Sequence, residues 1–220
     1  MSEEKVLQAV LWDMDGVIVD TYEGHFVAWK QSLDEVGQAY DEDTFRRTFG
    51  MNNRLIMATV FGRELDEAFI QEVSDRKEEL FRRDIKGKVQ TLAGVLDWLE
   101  QFKRMNLKQA VASSAPQANI DALITELNIR VFFQAEAAGA TLKGKPNPAV
   151  FLLAAKLLGV DPRNCLVIED SIAGVEAAKS AGCQCVAVLT TNQASDLTQA
   201  DLIVKDLSYL KMEQVNSLFN

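Results

Sequence analysis

Two aspartates, Asp13 and Asp15, stand at the end of a mostly apolar run, Val6–Trp12, and Gly16 follows them. Residues two apart in extended chain point to the same side, so both carboxylates can meet one ligand. Gly16 then lets the backbone turn sharply. Acids at the end of a buried strand are costly. Two of them repel, and the repulsion is relieved by a cation between them or by protonation of one. A hard, oxygen-bound cation suits Mg²⁺; a protonated acid suits proton donation. The plain alternative is a turn after a strand, where Asp is common.

Three further segments weigh against that alternative. In Leu166-Val-Ile-Glu169-Asp170-Ser171 an apolar run again leads straight into paired acids. If the two strands are neighbours, four carboxyls meet at one sheet edge and call for a divalent ion. Otherwise Glu169 and Asp170 charge the start of the next helix. Ala110-Val-Ala-Ser113-Ser114 ends in hydroxyls able to donate to a phosphate oxygen, although Ser114, ahead of Pro116, is expected to act as a local cap. Lys143-Gly144-Lys145-Pro146-Asn147-Pro148 is a loop stiffened by two prolines. It can hold the Lys145 ammonium near the acids, where it offsets their repulsion and attracts a phosphate dianion. Lys143 is expected in solvent.

The elements that position these groups alternate. Strand-like runs at Val6–Trp12, Leu107–Ala112, Cys165–Ile168, Cys185–Leu189 and Leu202–Val204 are separated by helical patterns at Gly94–Met105, Asn119–Leu127 and Phe151–Leu158. Ser171 is expected to cap a helix running to Ala181, with Gly182 ending it. Such alternation predicts a parallel α/β sheet with helices on both faces. From about His25 to Asp84 there are only helical signals, with one long helix at Leu65–Ile85. An all-helical insertion of residues 21–88 is therefore expected, hinged near Asp20–Thr21 and Gly87–Gln90, on a core of 1–20 and 89–220.

The four segments, in this order, resemble the motifs of the haloacid dehalogenase superfamily of phosphotransferases over nearly the whole chain. The insertion, with Asp20-Thr21-x-x-x-His25-x-x-x-Trp29, resembles the cap of the branch containing β-phosphoglucomutase and sugar-phosphate and phosphoglycolate phosphatases. The resemblance implies a Rossmann-like core and roles for each motif. Asp13 would be the nucleophile that forms an aspartyl-phosphate. Asp15 would protonate the leaving group and then activate water. Ser113 and Lys145 would hold the phosphoryl group. Mg²⁺ would be held by Asp13, the Asp15 carbonyl and Asp170, with Glu169 in support. Dehalogenation itself needs neither the second acid nor the cation cluster.

In the cap, His25 is the only histidine. By resemblance it contacts the acid/base or the substrate; otherwise it is a packed helix residue. Gly50-Met-Asn-Asn-Arg54 resembles a substrate-specificity loop, with Arg54 either binding a second anion or lying in solvent. Lys77 has a similar resemblance, but its charged run Asp75–Glu79 favours a solvated side chain. Ser114 completes the expected substrate contacts. The leading activity is a phosphatase for a small phosphorylated metabolite. The alternative is a β-phosphoglucomutase-like mutase, although Ser113-Ser-Ala-Pro-Gln departs from the Ser-x-Ser-Lys-Asn run associated with mutases. A non-catalytic binding protein on the same fold is the third possibility.

Bulk properties agree with one core-forming unit. The 220 residues are 48% hydrophobic and 25% charged, ordinary for a globular chain. A net charge of −9 disfavours nucleic acid as a partner. No apolar segment is long enough for a bilayer, and Met1–Lys5 lacks the pattern of a secretory signal. Three cysteines make no disulfide framework, which fits a reducing cytoplasm. A monomer acting on a small phosphorylated molecule is expected.

Overall fold

The computed structural model describes residues 5–219; all but Lys5 of the Met1–Lys5 segment lies outside that range. Six strands form one parallel sheet: β1 (Ala9–Trp12), β2 (Lys108–Ser113), β3 (Ala135–Ala138), β4 (Cys165–Glu169), β5 (Gln184–Val188) and β6 (Leu202–Val204). Their order is β3-β2-β1-β4-β5-β6. β1 therefore lies between β2 and β4, where the winding reverses direction. Ligands of open α/β sheets bind at the carboxyl ends of strands beside such a point.

Side chains alternate along β1 and feed two cores. Val10 and Trp12 face one layer, Ala9 and Leu11 the other. The first layer is covered by α5 (Val95–Arg104), α6 (Gln117–Glu126) and α9 (Met212–Ser217), through side chains such as Leu99, Phe102, Leu123 and Val215. The second is covered by α7 (Ala149–Leu158) and α8 (Ile172–Ser180), with Phe151, Ala154 and Val175 against the sheet. All three cysteines are buried, Cys165 and Cys185 in strands and Cys183 just ahead of β5.

Strands β1, β2, β4, β5 and β6 fall on the five expected runs, within one to three residues at each end. β3 had no sequence signal, because Ala-Glu-Ala-Ala is short and lacks the β-branched and aromatic residues that mark strands. It is an edge strand, paired only with β2. The insertion between β1 and β2 holds α1 (Tyr22–Asp34), α2 (Glu42–Thr48), α3 (Asn53–Phe61) and α4 (Glu67–Asp84). Asp41, Asn52 and Asp66 cap the last three of these, each accepting a backbone N–H from the first turn. These helices have their own apolar core, including Trp29, Leu33, Phe45, Met57 and Val73.

Among the contacts that tie this cap to the core are two beside the sheet edge. Ser114 Oγ donates to the Gly50 carbonyl at 2.9 Å, and Asn52 Nδ2 donates to the Leu142 carbonyl at 3.0 Å. Ser114 is therefore not the local helix cap that its place before Pro116 suggested; α6 starts at Gln117 with no side-chain cap.

Candidate active site

The turn after β1 carries Asp13 and Asp15 over the carboxyl end of the sheet. The Asp13 N–H still donates to the Ile168 carbonyl of β4 at 3.0 Å, so the ladder carries this residue beside Glu169 and Asp170. One oxygen of each of Asp13, Glu169 and Asp170 lies within 4.8 Å of the others, and all three residues are buried. Gly16 turns the chain with φ of 85°, and a Cβ there would stand 2.0 Å from Asp170 Oδ2. Only glycine meets both demands.

Lys145 reaches this group from the loop before α7. Its Nζ donates to Asp13 Oδ1 at 2.6 Å and also to Glu169 Oε1, with 1% of the side chain exposed. Burial alone would lower its pKa, but Asp13 and Glu169 outweigh that and raise it, so the ammonium persists. Lys143 is exposed, as expected.

Three carboxylates against one ammonium leave an excess of negative charge. Burial pushes the Asp13 carboxyl up to about 8, with Glu169 and Asp15 adding to the rise and Lys145 opposing it. Burial also raises Asp170, with Glu169 and Asp13 adding and the Thr191 hydrogen bond opposing. An oxygen-only donor set short of positive charge fits a divalent cation.

Glu169 stands within reach of such an ion, but its oxygens are already engaged. Oε1 takes Lys145, while Oε2 accepts the N–H groups of Asp170 and Ser171, each at 2.8 Å, and the Ser171 hydroxyl at 3.0 Å. Its geometry suits an anchor for Lys145 and for the start of α8. Asp13 and Asp170 are the better-placed donors. Ser171 also caps α8 by accepting the Gly174 N–H at 3.0 Å. Gly174 is a requirement that the sequence did not reveal, since a Cβ there would lie 1.8 Å from Glu169 Oε1. Gly174→Ala must displace that carboxylate. It is expected to cost about 1–3 kcal/mol in urea unfolding, the usual range for overpacking.

The Asp15 carboxylate is not part of the acidic group and faces the cap instead. Its Oδ1 accepts the Thr21 hydroxyl at 2.6 Å and meets His25 Nε2 at 3.1 Å. Burial works to raise its pKa, but His25 and Thr21, with Lys77 beyond, hold it at about 2. A ligand for a cation from Asp15 would have to be its backbone carbonyl.

His25 is buried and stacks on Phe81 of α4, with ring centroids 3.9 Å apart and planes 4° from parallel. Lys77 Nζ lies 2.9 Å from His25 Nδ1. An ammonium has only hydrogens to give, so Nδ1 accepts and Nε2 carries the proton donated to Asp15. Lys77 is thus a buried residue, 3% exposed, and not the solvated lysine of a charged run. Its other partner is Glu78, at 2.9 Å. Arg54 lies elsewhere: it is exposed on α3 and paired with Glu67.

A cleft between cap and core joins these groups. It is lined by Asp13, Asp15, His25, Lys77 and Ser114, and also by Asn53 and Glu78, which sequence reasoning had not selected. Ser113 is buried, and its hydroxyl accepts the Ala115 N–H at 3.1 Å. Ser114 and Ala115, not Ser113, border the cleft. Thr191 and Asn192 were also missed. Thr191 Oγ1 donates to Asp170 Oδ2 at 2.7 Å, and Asn192 Nδ2 donates to the Asp170 carbonyl at 3.0 Å. A Thr-Asn pair after β5 had no local signal; only the strand order brings it beside Asp170.

Comparison with known proteins agrees with this arrangement. The family model for haloacid dehalogenase-like hydrolases matches residues 10–188. The chain is 36% identical over 215 residues to the β-phosphoglucomutase of Bacillus subtilis, covering 94% of this chain and 93% of that protein. It is 35% identical over 181 residues to a phosphorylated carbohydrates phosphatase of Thermotoga maritima, covering 80% and 82% respectively. The crystal structure of a β-phosphoglucomutase from Clostridium difficile superposes with a TM-score of 0.87, at 28% identity and 98% coverage of each chain. With its motifs gathered at one sheet edge beneath a helical cap, the chain belongs to the haloacid dehalogenase-like hydrolases, among their β-phosphoglucomutase-like members.

Proposed function

We propose that this protein is a Mg²⁺-dependent phosphatase that hydrolyses a small phosphorylated metabolite, such as a sugar phosphate, through an aspartyl-phosphate. The observation that carries the reading is the placing of Asp13 between Lys145 and Asp170 while Asp15 is held apart by Thr21 and His25. Two aspartates only two positions apart thereby acquire different environments, and with them different roles.

Lys145 engages Asp13 Oδ1, and the second oxygen of Asp13 attacks phosphorus as the bond to the substrate's alcohol oxygen breaks. The departing alkoxide takes a proton from Asp15, which must enter this step protonated in the substrate complex although His25 and Thr21 hold it ionised in the free protein; the carboxylate left behind accepts the His25 Nε2–H hydrogen bond. Water then attacks the phosphorus of the aspartyl-phosphate and passes its proton to Asp15, releasing inorganic phosphate and restoring Asp13. Ser114 and the turn after β2 border the phosphate, with the Lys145 ammonium beneath it. Mg²⁺, held by Asp13, the Asp15 carbonyl and Asp170, would neutralise charge on the transferring group.

The test is phosphate release from a panel of phosphorylated sugars and other metabolites, with Mg²⁺ and with a chelator. Release that depends on Mg²⁺ is expected, and Mg²⁺ is also expected to raise the Tm. Unchanged release in the chelator would remove the cation from the reaction. The Bacillus subtilis relative keeps a mutase reading in view. Conversion of β-glucose 1-phosphate to glucose 6-phosphate without free phosphate would favour that reading.

A further inference from the structure

The two ends of the cleft differ in chemistry. The core end holds the anionic and hydroxyl groups already described. The cap wall presents apolar groups, among them Trp29, Phe49, Met51 and Ile56, with Asn53, Lys77 and Glu78 as polar members. Apolar walls carrying a few placed polar groups are the usual form of a site that orients an uncharged body.

The charge on this wall is matched internally. Lys77 Nζ is shared between Glu78 Oε1 and His25 Nδ1, both at 2.9 Å. Asn53 Nδ2 donates to the same Glu78 oxygen at 2.8 Å, and Asn119 Nδ2 donates to the other. Glu78 is 4% exposed, so it is a desolvated carboxylate. Burial acts to raise its pKa, but Lys77, His25 and the two amides overcome this and hold the group ionised. A second anion on the substrate would meet a buried negative charge whose cation is already taken. Arg54 does not supply another, because it is bound to Glu67 on the outer surface. Arg82 stands behind the wall, donating to Asn119 Oδ1 at 2.8 Å.

We infer that the cap wall selects phosphomonoesters whose remainder is neutral and hydroxylated, and rejects those bearing a second phosphate or a carboxylate, with Asn53 and Glu78 as the specificity-determining residues. Glu78 and the Asn53 amide would take hydroxyl hydrogen bonds, while Trp29 and Phe49 would lie against carbon. This rests on the phosphatase reading and gives it a substrate class.

The experiment compares kcat/KM for glucose 6-phosphate and sorbitol 6-phosphate with that for fructose 1,6-bisphosphate and 2-phosphoglycolate. The neutral-bodied esters are expected to lead by about tenfold or more, because a second anion would be desolvated against a wall whose cation, Lys77, is already paired with Glu78. Asn53→Arg places a cation on the wall and should move that ratio toward the doubly anionic esters by about tenfold. Glu78→Gln keeps the shape and removes the charge, and should move it the same way. Only the ratio within each variant is read, so a general loss of activity does not decide the outcome. Equal or better wild-type turnover of the doubly anionic esters, or a ratio unmoved in both variants, overturns the inference and leaves the phosphatase standing. Absence of phosphate release from every ester overturns both.

Discussion

Asp13→Asn is expected to lose phosphate release by about ten-thousandfold or more in kcat, the scale seen when a covalent nucleophile is removed. The amide nitrogen cannot attack phosphorus, and among the described residues the neighbouring carboxylates are engaged elsewhere: Glu169 with Lys145 and the α8 start, Asp170 with Thr191, and Asp15 with Thr21 and His25. The same substitution should leave the protein at least as heat-stable as the parent in the absence of metal. Asp13 has a folded pKa of about 8 against an ordinary value of 3.8. A raised carboxyl pKa means that ionisation opposes folding, and this penalty grows as pH rises from the lower value to the higher. At neutral pH the neutral amide removes it, while Lys145 keeps Glu169 as a partner. The expected signature is an inactive protein whose Tm is unchanged or higher and responds less to Mg²⁺. Activity within tenfold of the parent would refute Asp13 as the nucleophile.

Lys145→Met should have the opposite balance, a large loss of stability together with the loss of activity. The Lys145 and Glu169 side chains are 1% and 0% exposed, and Asp13 lies against the same ammonium. Removing the cation leaves buried carboxylates with no counter-charge, which costs about 3–5 kcal/mol when one partner of a buried ion pair is deleted. Urea denaturation reads this loss directly. Salt in the buffer should not restore it, because a buried site is poorly screened. A change under about 1 kcal/mol would match an exposed pair and would contradict the burial of this loop. Lys145→Arg is not expected to rescue, since a planar guanidinium cannot occupy the space of a compact ammonium between two carboxylates.

Much of this site was legible before any fold was known, for a local reason. Asp13, Ser113, Glu169 and Asp170 each end or directly follow a strand, and Asp15 stands three residues past one, so the apolar run that marks the strand also marks the residue. Two to three residues of backbone then determine where each side chain goes. Lys145 is similar, lying in a short loop stiffened by prolines. The alternation of strand and helix was equally local. β3 escaped because an alanine-rich edge strand lacks the β-branched and aromatic composition of the other strands.

The cap was different, because helix faces are chosen by what packs on them. α4 is charged along most of its length, yet Val73, Lys77 and Phe81 are spaced by four and share one buried face. That spacing was a signal, but the charges of Asp75–Glu79 concealed it. α3 turns Ile56 and Met57 inward and leaves Arg54 exposed beside Glu67. The amino-acid sequence by itself determined the parallel α/β core, the helical insertion and the acids and lysine of the candidate site, since each depends on a few contiguous residues. Only the tertiary structure decided which cap residues face the cleft, that Thr191 and Asn192 hold Asp170, and that Gly174 must leave room for Glu169. Those choices come from distant segments packed together, where burial and charge pairing act between residues that no local pattern connects.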